Sequence, residues 1–289
     1  MAILITGGSG FIGSKLIKVL EKNHSEIRLL SRKNIIGKKV YLCDFLIDKI
    51  PFDAFNNVDT VYHLAGCAHD INGINDNEIY TKLNTETTLE LAKISEKNGV
   101  KNFIFLSSVK ADNPQDIYGI SKLNAERGLL EIAKYSDMRI SIIRPALVYG
   151  PNVKGNLETM IKGIKKGWFP PLPNTFNKRS MIHVDDLIAA IIFIKNSKNS
   201  DRVIFTATDG IGYSSSDIYD ILSVAVGKKV RLLRVPIIFF NILSYIHPSL
   251  KFKVNKLLGD DFYSSERLEK LGFKPAKSLA DIYNESNDI

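Results

Sequence analysis

The stretch Ile3-Leu4-Ile5-Thr6-Gly7-Gly8-Ser9-Gly10-Phe11-Ile12-Gly13 constrains this chain more than any other. A short apolar run ends on a threonine, glycines follow at positions 7, 10 and 13, and a helical pattern opens near Ile12. That order predicts a buried strand turning tightly into a helix, the context in which such a glycine pattern acquires meaning. The first glycine permits the turn, the second lets backbone approach a pyrophosphate, and the third lets helix and strand pack closely. A phosphate there faces free helix N–H groups and the positive end of the helix dipole. Gly7, Gly10, Phe11, Ile12 and Gly13 are therefore candidate dinucleotide-binding residues.

The rest of the first half repeats the strand–helix alternation. Strands are expected at Ile3–Thr6, Ile27–Ser31, Val40–Cys43, Thr60–Leu64, Phe103–Ser107 and Ile140–Ile143. Helices are expected at Ile12–Glu21, Leu83–Lys97 and from about Tyr118. Alternation of this kind predicts a parallel sheet covered on both faces, and unbroken runs such as Phe-Ile-Phe-Leu suit strands buried on both sides. After Pro145 prolines and glycines cluster, marking loops. A helix near Asp185–Ile194 and a strand at Val203–Thr206 return to the sheet. The expected fold class is α/β, a Rossmann-type doubly wound parallel sheet with a smaller, mostly helical lobe. Residues 1–145 with 181–207 form the nucleotide domain, and 146–180 with 208–289 the lobe.

Bulk properties exclude several classes. With 289 residues the chain can bury a core without disulfides or metals. Cys43 and Cys67 lack metal-ligand spacing, no metal site is expected, and both read as core residues in a reducing cytosol. The net charge of +8 is spread thinly, without the aromatic interleaving of a nucleic-acid platform. No signal peptide or transmembrane segment is expected, so the location is read as cytoplasmic. The longest apolar run, Val235–Leu243, is too short to span a bilayer and reads as the start of a buried helix.

The end of the second strand selects the cofactor. A carboxylate there would hold the ribose hydroxyls of NAD. This chain has Ser31-Arg32-Lys33, whose cations suit the extra phosphate of NADP. NADP(H) is favoured, with NAD(H) left open.

Tyr118-Gly119-Ile120-Ser121-Lys122 sets a lysine one helical turn beyond a tyrosine, on the same face. An ammonium there is expected to lower the phenol's pKa. Tyr118 could then exchange a proton with a carbonyl or alcohol while a nicotinamide exchanges hydride. Ser108, at a strand end, could hydrogen-bond the same substrate oxygen. Ser108, Tyr118 and Lys122 are the candidate catalytic residues.

Together these features resemble the extended short-chain dehydrogenase/reductases, over nearly the whole chain. The resemblance rests on Thr6–Gly13, Asp44-Phe45, Asp59–Gly66, Asn84, Phe105–Ser108, Tyr118–Lys122, Arg144-Pro145, Tyr149–Pro151 and His183–Leu187. It implies that Asp44 and Phe45 flank the adenine and that Leu64, Ala65 and Gly66 line the dinucleotide. It also implies that Asn84 sits beside the site, with Pro145 and Val148 near the nicotinamide. Phe105–Lys110, Gly150–Asn156, Asn177–Asp186, Ser264–Leu268 and Leu271–Pro275 are similar to segments of bacterial nucleotide-sugar enzymes of surface-polysaccharide pathways. That likeness implies a UDP-linked sugar substrate, with Asn156 and Leu157 at the uracil and Arg179 at the diphosphate.

Two departures bear on the reaction. Only nine residues separate Ser108 from Tyr118, fewer than nucleotide-sugar members usually place there. No Asp-Glu pair follows Ser108, so a dehydration, which needs an added acid and base, is not expected. The basic cofactor corner favours NADPH-dependent reduction of a UDP-4-keto-(6-deoxy)hexosamine. A UDP-glucose or UDP-N-acetylglucosamine 4-epimerase is the close alternative, and a steroid- or flavonoid-type carbonyl reductase a more distant one. A non-enzymatic NADP-sensing regulator is the alternative of another class. A homodimer is left open.

Overall fold

The structure, a computed structural model, describes residues 2–22, 26–68, 77–230, 233–246, 254 and 257–282. In chain order the strands are β1 (Ala2–Thr6), β2 (Glu26–Ser31), β3 (Lys39–Leu42), β4 (Val58–His63), β5 (Asn102–Leu106), β6 (Arg139–Pro145), β7 (Leu147–Tyr149), β8 (Arg179–His183), β9 (Val203–Ala207) and β10 (Gly212–Tyr213). The helices are α1 (Phe11–Glu21), α2 (Asn77–Tyr80), α3 (Thr87–Lys97), α4 (Ile117–Lys134), α5 (Asn156–Lys166), α6 (Val184–Asn196), α7 (Ser215–Ala225) and α8 (Ile237–Ile246). A π-helical turn, Thr81–Glu86, joins α2 to α3, and a short helix Glu266–Lys270 follows α8.

The chain divides into two compact units. One holds Met1–Pro145, Leu187–Ala207 and Glu266–Phe273; the other holds Ala146–Asp186, Thr208–Ser265 and Lys274–Ile289. The return to the first unit begins at Leu187 rather than 181, because β8 pairs with β7 in the second unit's own sheet.

The first unit is built on a seven-stranded sheet in the order β3-β2-β1-β4-β5-β6-β9, with every pair parallel. Its strands are continuous apolar runs because helices cover them, as in doubly wound sheets. One core cluster packs Leu4, Val61, Phe103, Phe105, Ile140 and Ile142 of the sheet against Leu91, Leu129 and Ala133 of α3 and α4. Helix α4 begins where the Asp116 carboxylate accepts the Gly119 N–H at 2.7 Å, satisfying one orphan donor of the first turn. Its buried face carries Lys122 and Glu126 among Gly119, Ala125, Leu129 and Ala133, so two charged side chains enter the interior one turn apart.

The second unit is less helical than the sequence suggests. Strands β10, β8 and β7 form a sheet of their own, β10 antiparallel and β7 parallel to β8. These strands have between two and five residues, too short for periodicity to reveal. Helix α7 opens on a reciprocal capping box between Ser214 and Asp217. Helix α8 forms where a helix start was expected, yet it is not buried throughout: Phe240 is 5% exposed, whereas Ile238 is 64% and Ile242 57% exposed. An apolar run shows that a segment can be buried; burial itself requires a neighbour.

Candidate functional site

The order of the first unit's strands reverses between β1 and β4, and open α/β sheets take ligands in the crevice beyond such a reversal. Thr6, the last residue of β1, lies in register with His63, the last of β4. Beyond them the two loops press together. Gly7 has φ +71°, and a Cβ there would sit 2.7 Å from the Ala65 nitrogen. At Gly13 a Cβ would sit 2.2 Å from the Gly7 carbonyl oxygen, so only a bare backbone lets α1 begin this close to the loop. Gly10 donates its N–H to Gly7 O at 3.0 Å and is the N-cap of α1, with no side-chain cap. The first turn, beginning at Phe11 and Ile12, holds no acidic residue. A helix start without its own carboxylate or capping oxygen fits an anion, and these residues fit the diphosphate of a dinucleotide.

Around this cradle the other expected contacts fall at strand ends. Ser31 closes β2, and its hydroxyl accepts the Lys33 N–H at 3.2 Å, while Arg32 is exposed beside it. Asp44 follows β3 and caps its own turn, accepting the Leu46 N–H at 3.1 Å; Phe45 packs partly buried on the core. Leu64 and Ala65 follow β4, bonded to Thr6 through N–H groups at 3.3 and 3.1 Å. Gly66 lies against two of the candidate residues, where a Cβ would stand 2.8 Å from Asn84 Oδ1 and 3.2 Å from Lys122 Nζ.

Asn84 is fully buried in the π-helical turn, and its amide is satisfied. It accepts the Cys67 N–H at 2.8 Å and donates to Cys67 O and Ser121 Oγ, each at 3.0 Å. Ser121 in turn donates to Tyr118 O at 2.8 Å. Asn84 thus ties the loop after β4 to the first turn of α4.

The two serines after β5 part company. Ser107 is buried and donates to Glu126, whereas the Ser108 hydroxyl bonds the Tyr118 phenol and accepts the Lys110 N–H at 3.2 Å. Lys122 is 4% exposed, with its ammonium donating to Leu106 O at 2.9 Å and lying 4.6 Å from the centre of the Phe105 ring. Burial pushes the Lys122 pKa down to about 8, opposed by the Glu126 carboxylate. The Tyr118 pKa moves opposite to the expectation. Enclosure of the phenol pushes it up to about 12, and the Ser108 hydrogen bond only partly offsets that. The reason is that burial disfavours a phenolate more than the neighbouring groups stabilise it. Pro145 ends β6 as a buried residue.

In the second unit Val148 is half-buried on β7, and Asn156 is the exposed first residue of α5. Leu157 is buried on the same helix as Met160, Ile161 and Ile164. Arg179 opens β8 with its guanidinium 3.8 Å from the Asp261 carboxylate, and burial lowers its pKa while Asp261 raises it. It is an ion-paired arginine in this structure.

Sequence reasoning missed the support beneath these residues. The buried Arg144 guanidinium donates to both Glu126 oxygens, at 2.9 and 2.7 Å, and also reaches Asp112. It pins the loop between Ser108 and Tyr118 to α4. The only trace in the sequence is Glu126 at i+4 from Lys122, which by itself reads as a surface pair.

Residues 3–205 match the NAD dependent epimerase/dehydratase family. A UDP-glucose 4-epimerase of Vibrio cholerae is 31% identical, covering 99% of this chain and 94% of that protein. A UDP-2-acetamido-2,6-beta-L-arabino-hexul-4-ose reductase of Pseudomonas aeruginosa is 25% identical, covering 70% of this chain and 52% of that one. The fold is also that of the UDP-glucose 4-epimerase of Thermotoga maritima solved with UDP-glucose. The two superpose with a TM-score of 0.82 at 21% identity, over 99% of this chain and 97% of the other. On this evidence the chain is an NAD-dependent enzyme and belongs to the NAD dependent epimerase/dehydratase family.

Proposed function

We propose that this chain inverts C4 of a UDP-linked hexose, using a dinucleotide held at the Gly7–Gly13 loop. The likeness to a UDP-glucose 4-epimerase, which runs almost end to end, carries this reading. The site chemistry agrees with it, since one acid–base residue serves both halves of an epimerisation. The bound dinucleotide supplies a hydride acceptor that later returns the hydride. Tyr118 takes the proton from the C4 hydroxyl as hydride leaves C4, and gives it back once the keto sugar presents its other face. Ser108 holds the same oxygen, and Lys122, one turn along the same helix, supplies positive charge. Asn156, Leu157 and Arg179 are assigned to the UDP moiety.

A second reading, NADPH-dependent reduction of a UDP-4-keto-(6-deoxy)hexosamine, is favoured by one observation: the exposed Arg32 guanidinium where NAD sites place a carboxylate. Purified chain incubated with UDP-glucose and with UDP-N-acetylglucosamine, without added cofactor, separates the two. Appearance of the C4 epimer by proton NMR supports the epimerase. No epimer, together with NADPH consumption on a UDP-4-keto sugar, overturns it for the reductase.

A further inference from the structure

Helix α8 presents an apolar surface that the enzyme site does not use. Ile238, Ile242 and Tyr245 are 64%, 57% and 89% exposed and recur at i, i+4 and i+7, so they line one face. Ile237 and Phe239 flank that face, each 49% exposed, and Leu233 just before the helix is 90% exposed. Phe240, on the opposite side, is buried. The helix start is anchored within the second unit: Val235 donates its N–H to Pro171 O at 3.2 Å, and Arg234 forms a two-pronged pair with Asp220 at 3.0 and 2.6 Å. A contiguous apolar face of this kind on a protein surface marks an interaction site.

Charge identifies the occupant. From Ile221 to Gly259 the sequence holds no Asp or Glu but seven Lys and Arg residues, among them Lys228 and Lys229, which are exposed. Arg234 is already paired with Asp220, so Lys228 and Lys229 are the exposed cations among the described residues of this stretch, and a second copy meeting the stretch with its own would add like charge to like. An anionic surface would be attracted. Ten residues make a helix about 15 Å long, half of the roughly 30 Å hydrocarbon core of a bilayer. It can lie in a membrane interface and cannot cross one. Tyr245 suits that depth, with an apolar ring and a polar tip.

We propose that the outward face of α8 docks the protein on an anionic lipid bilayer. Ile238, Ile242 and Phe239 enter the headgroup–acyl boundary, and Lys228 and Lys229 meet the headgroups. The lipid contact is independent of which sugar the enzyme takes.

Flotation of the purified full-length chain tests this, with vesicles of phosphatidylcholine alone and of phosphatidylcholine mixed with phosphatidylglycerol. The wild type is expected to float with the mixed vesicles about ten-fold more than with phosphatidylcholine alone, and high salt is expected to reduce the difference. Ile238→Glu with Ile242→Glu is expected to remain with the unbound fraction while its circular dichroism is unchanged. Lys228→Glu with Lys229→Glu is expected to lower binding about ten-fold, which keeps the test valid should the first variant fold poorly. No flotation at any composition overturns the proposal, as does flotation indifferent to phosphatidylglycerol. A dimer in sedimentation that Ile238→Glu with Ile242→Glu dissociates also overturns it, because the face would then be occupied by a second copy.

Discussion

His63 Nε2 lies 2.8 Å from Thr88 Oγ1, and that contact settles the state of the ring. Thr88 spends its own proton on Asn84 O at 2.7 Å, so Nε2 must be the donor. Nδ1 is then the acceptor for the Thr6 hydroxyl at 2.7 Å, and Thr6 in turn accepts the Ala65 N–H at 3.1 Å. A single neutral histidine, fully buried, thus links the end of β1 to the turn that carries Asn84.

Protonating His63 would set two donors face to face at Thr6 and place a charge in the interior. Burial, followed by repulsion from Lys122, holds its pKa down to about 3 against an ordinary 6.5. Below pH 6.5 the unfolded chain takes up a proton that the folded chain refuses. Stability is therefore intact above pH 6.5 and falls as pH drops towards 3. Urea midpoints measured from neutral pH down to about 5 should fall with a slope approaching about one proton. In His63→Asn that slope should flatten, with lower stability at neutral pH.

Glu126 is fully buried, where it holds the Ser107 hydroxyl and two nitrogens of the Arg144 guanidinium. Removing Glu126 leaves the Arg144 guanidinium with the exposed Asp112 as its remaining carboxylate and the interior hydrogen bonds unmade. Glu126→Ala should cost about 3–5 kcal/mol. Glu126→Gln, which keeps a hydrogen-bonding group, should cost about 1–3 kcal/mol. Equilibrium unfolding in urea measures both.

Gly13→Ala forces a methyl group onto the Gly7 carbonyl at 2.2 Å. Overpacking of this type should cost about 1–3 kcal/mol, and dinucleotide affinity should fall at least about ten-fold as the loop shifts. Gly37→Ala is the control. Gly37 has φ +75° with nothing within 4 Å of a Cβ, so it carries backbone strain without a clash. It should cost about 1 kcal/mol and leave dinucleotide binding unchanged. Thermal melts and fluorescence titration distinguish the two.

Tyr118→Phe should lower turnover about 10²- to 10⁴-fold, with dinucleotide binding retained. Its melting temperature should move little, since phenylalanine keeps the ring and the Ser108 hydroxyl keeps its bond from the Lys110 N–H. Lys122→Met should also abolish turnover, and its stability carries a second signature. The folded pKa of Lys122 is about 8 against 10.5, so the cost of burying its charge is full below pH 8. That cost lifts as pH rises from 8 towards 10.5, and stability climbs through this window. The climb should be absent in Lys122→Met, as read from urea midpoints between pH 8 and 10.

Much of the site was legible because its geometry is local. Thr6 to Gly13 encodes a turn and a helix start within eight consecutive residues, and Tyr118 and Lys122 share a helix face by spacing alone. The alternation that announces the sheet likewise needs only neighbours in sequence. Which of Ser107 and Ser108 faces the phenol is not a local matter. Both follow β5, and it is Glu126 and Tyr118, distant in the chain, that turn one inward and leave the other at the phenol.

By itself, then, the sequence determined the doubly wound sheet, the tight glycine turn from Gly7 to Gly13 and the placing of Tyr118 and Lys122 on one helix, because strand, turn and helix preferences act over a few residues. Only the tertiary structure decided how those groups are charged and which are already engaged. It raised the Tyr118 phenol's pKa instead of lowering it, gave Arg179 an acidic partner in Asp261, wired His63 between two threonines, and left α8 facing outward. Each of these depends on burial and on partners far along the chain, and desolvation is a property of the packed fold that no local pattern specifies.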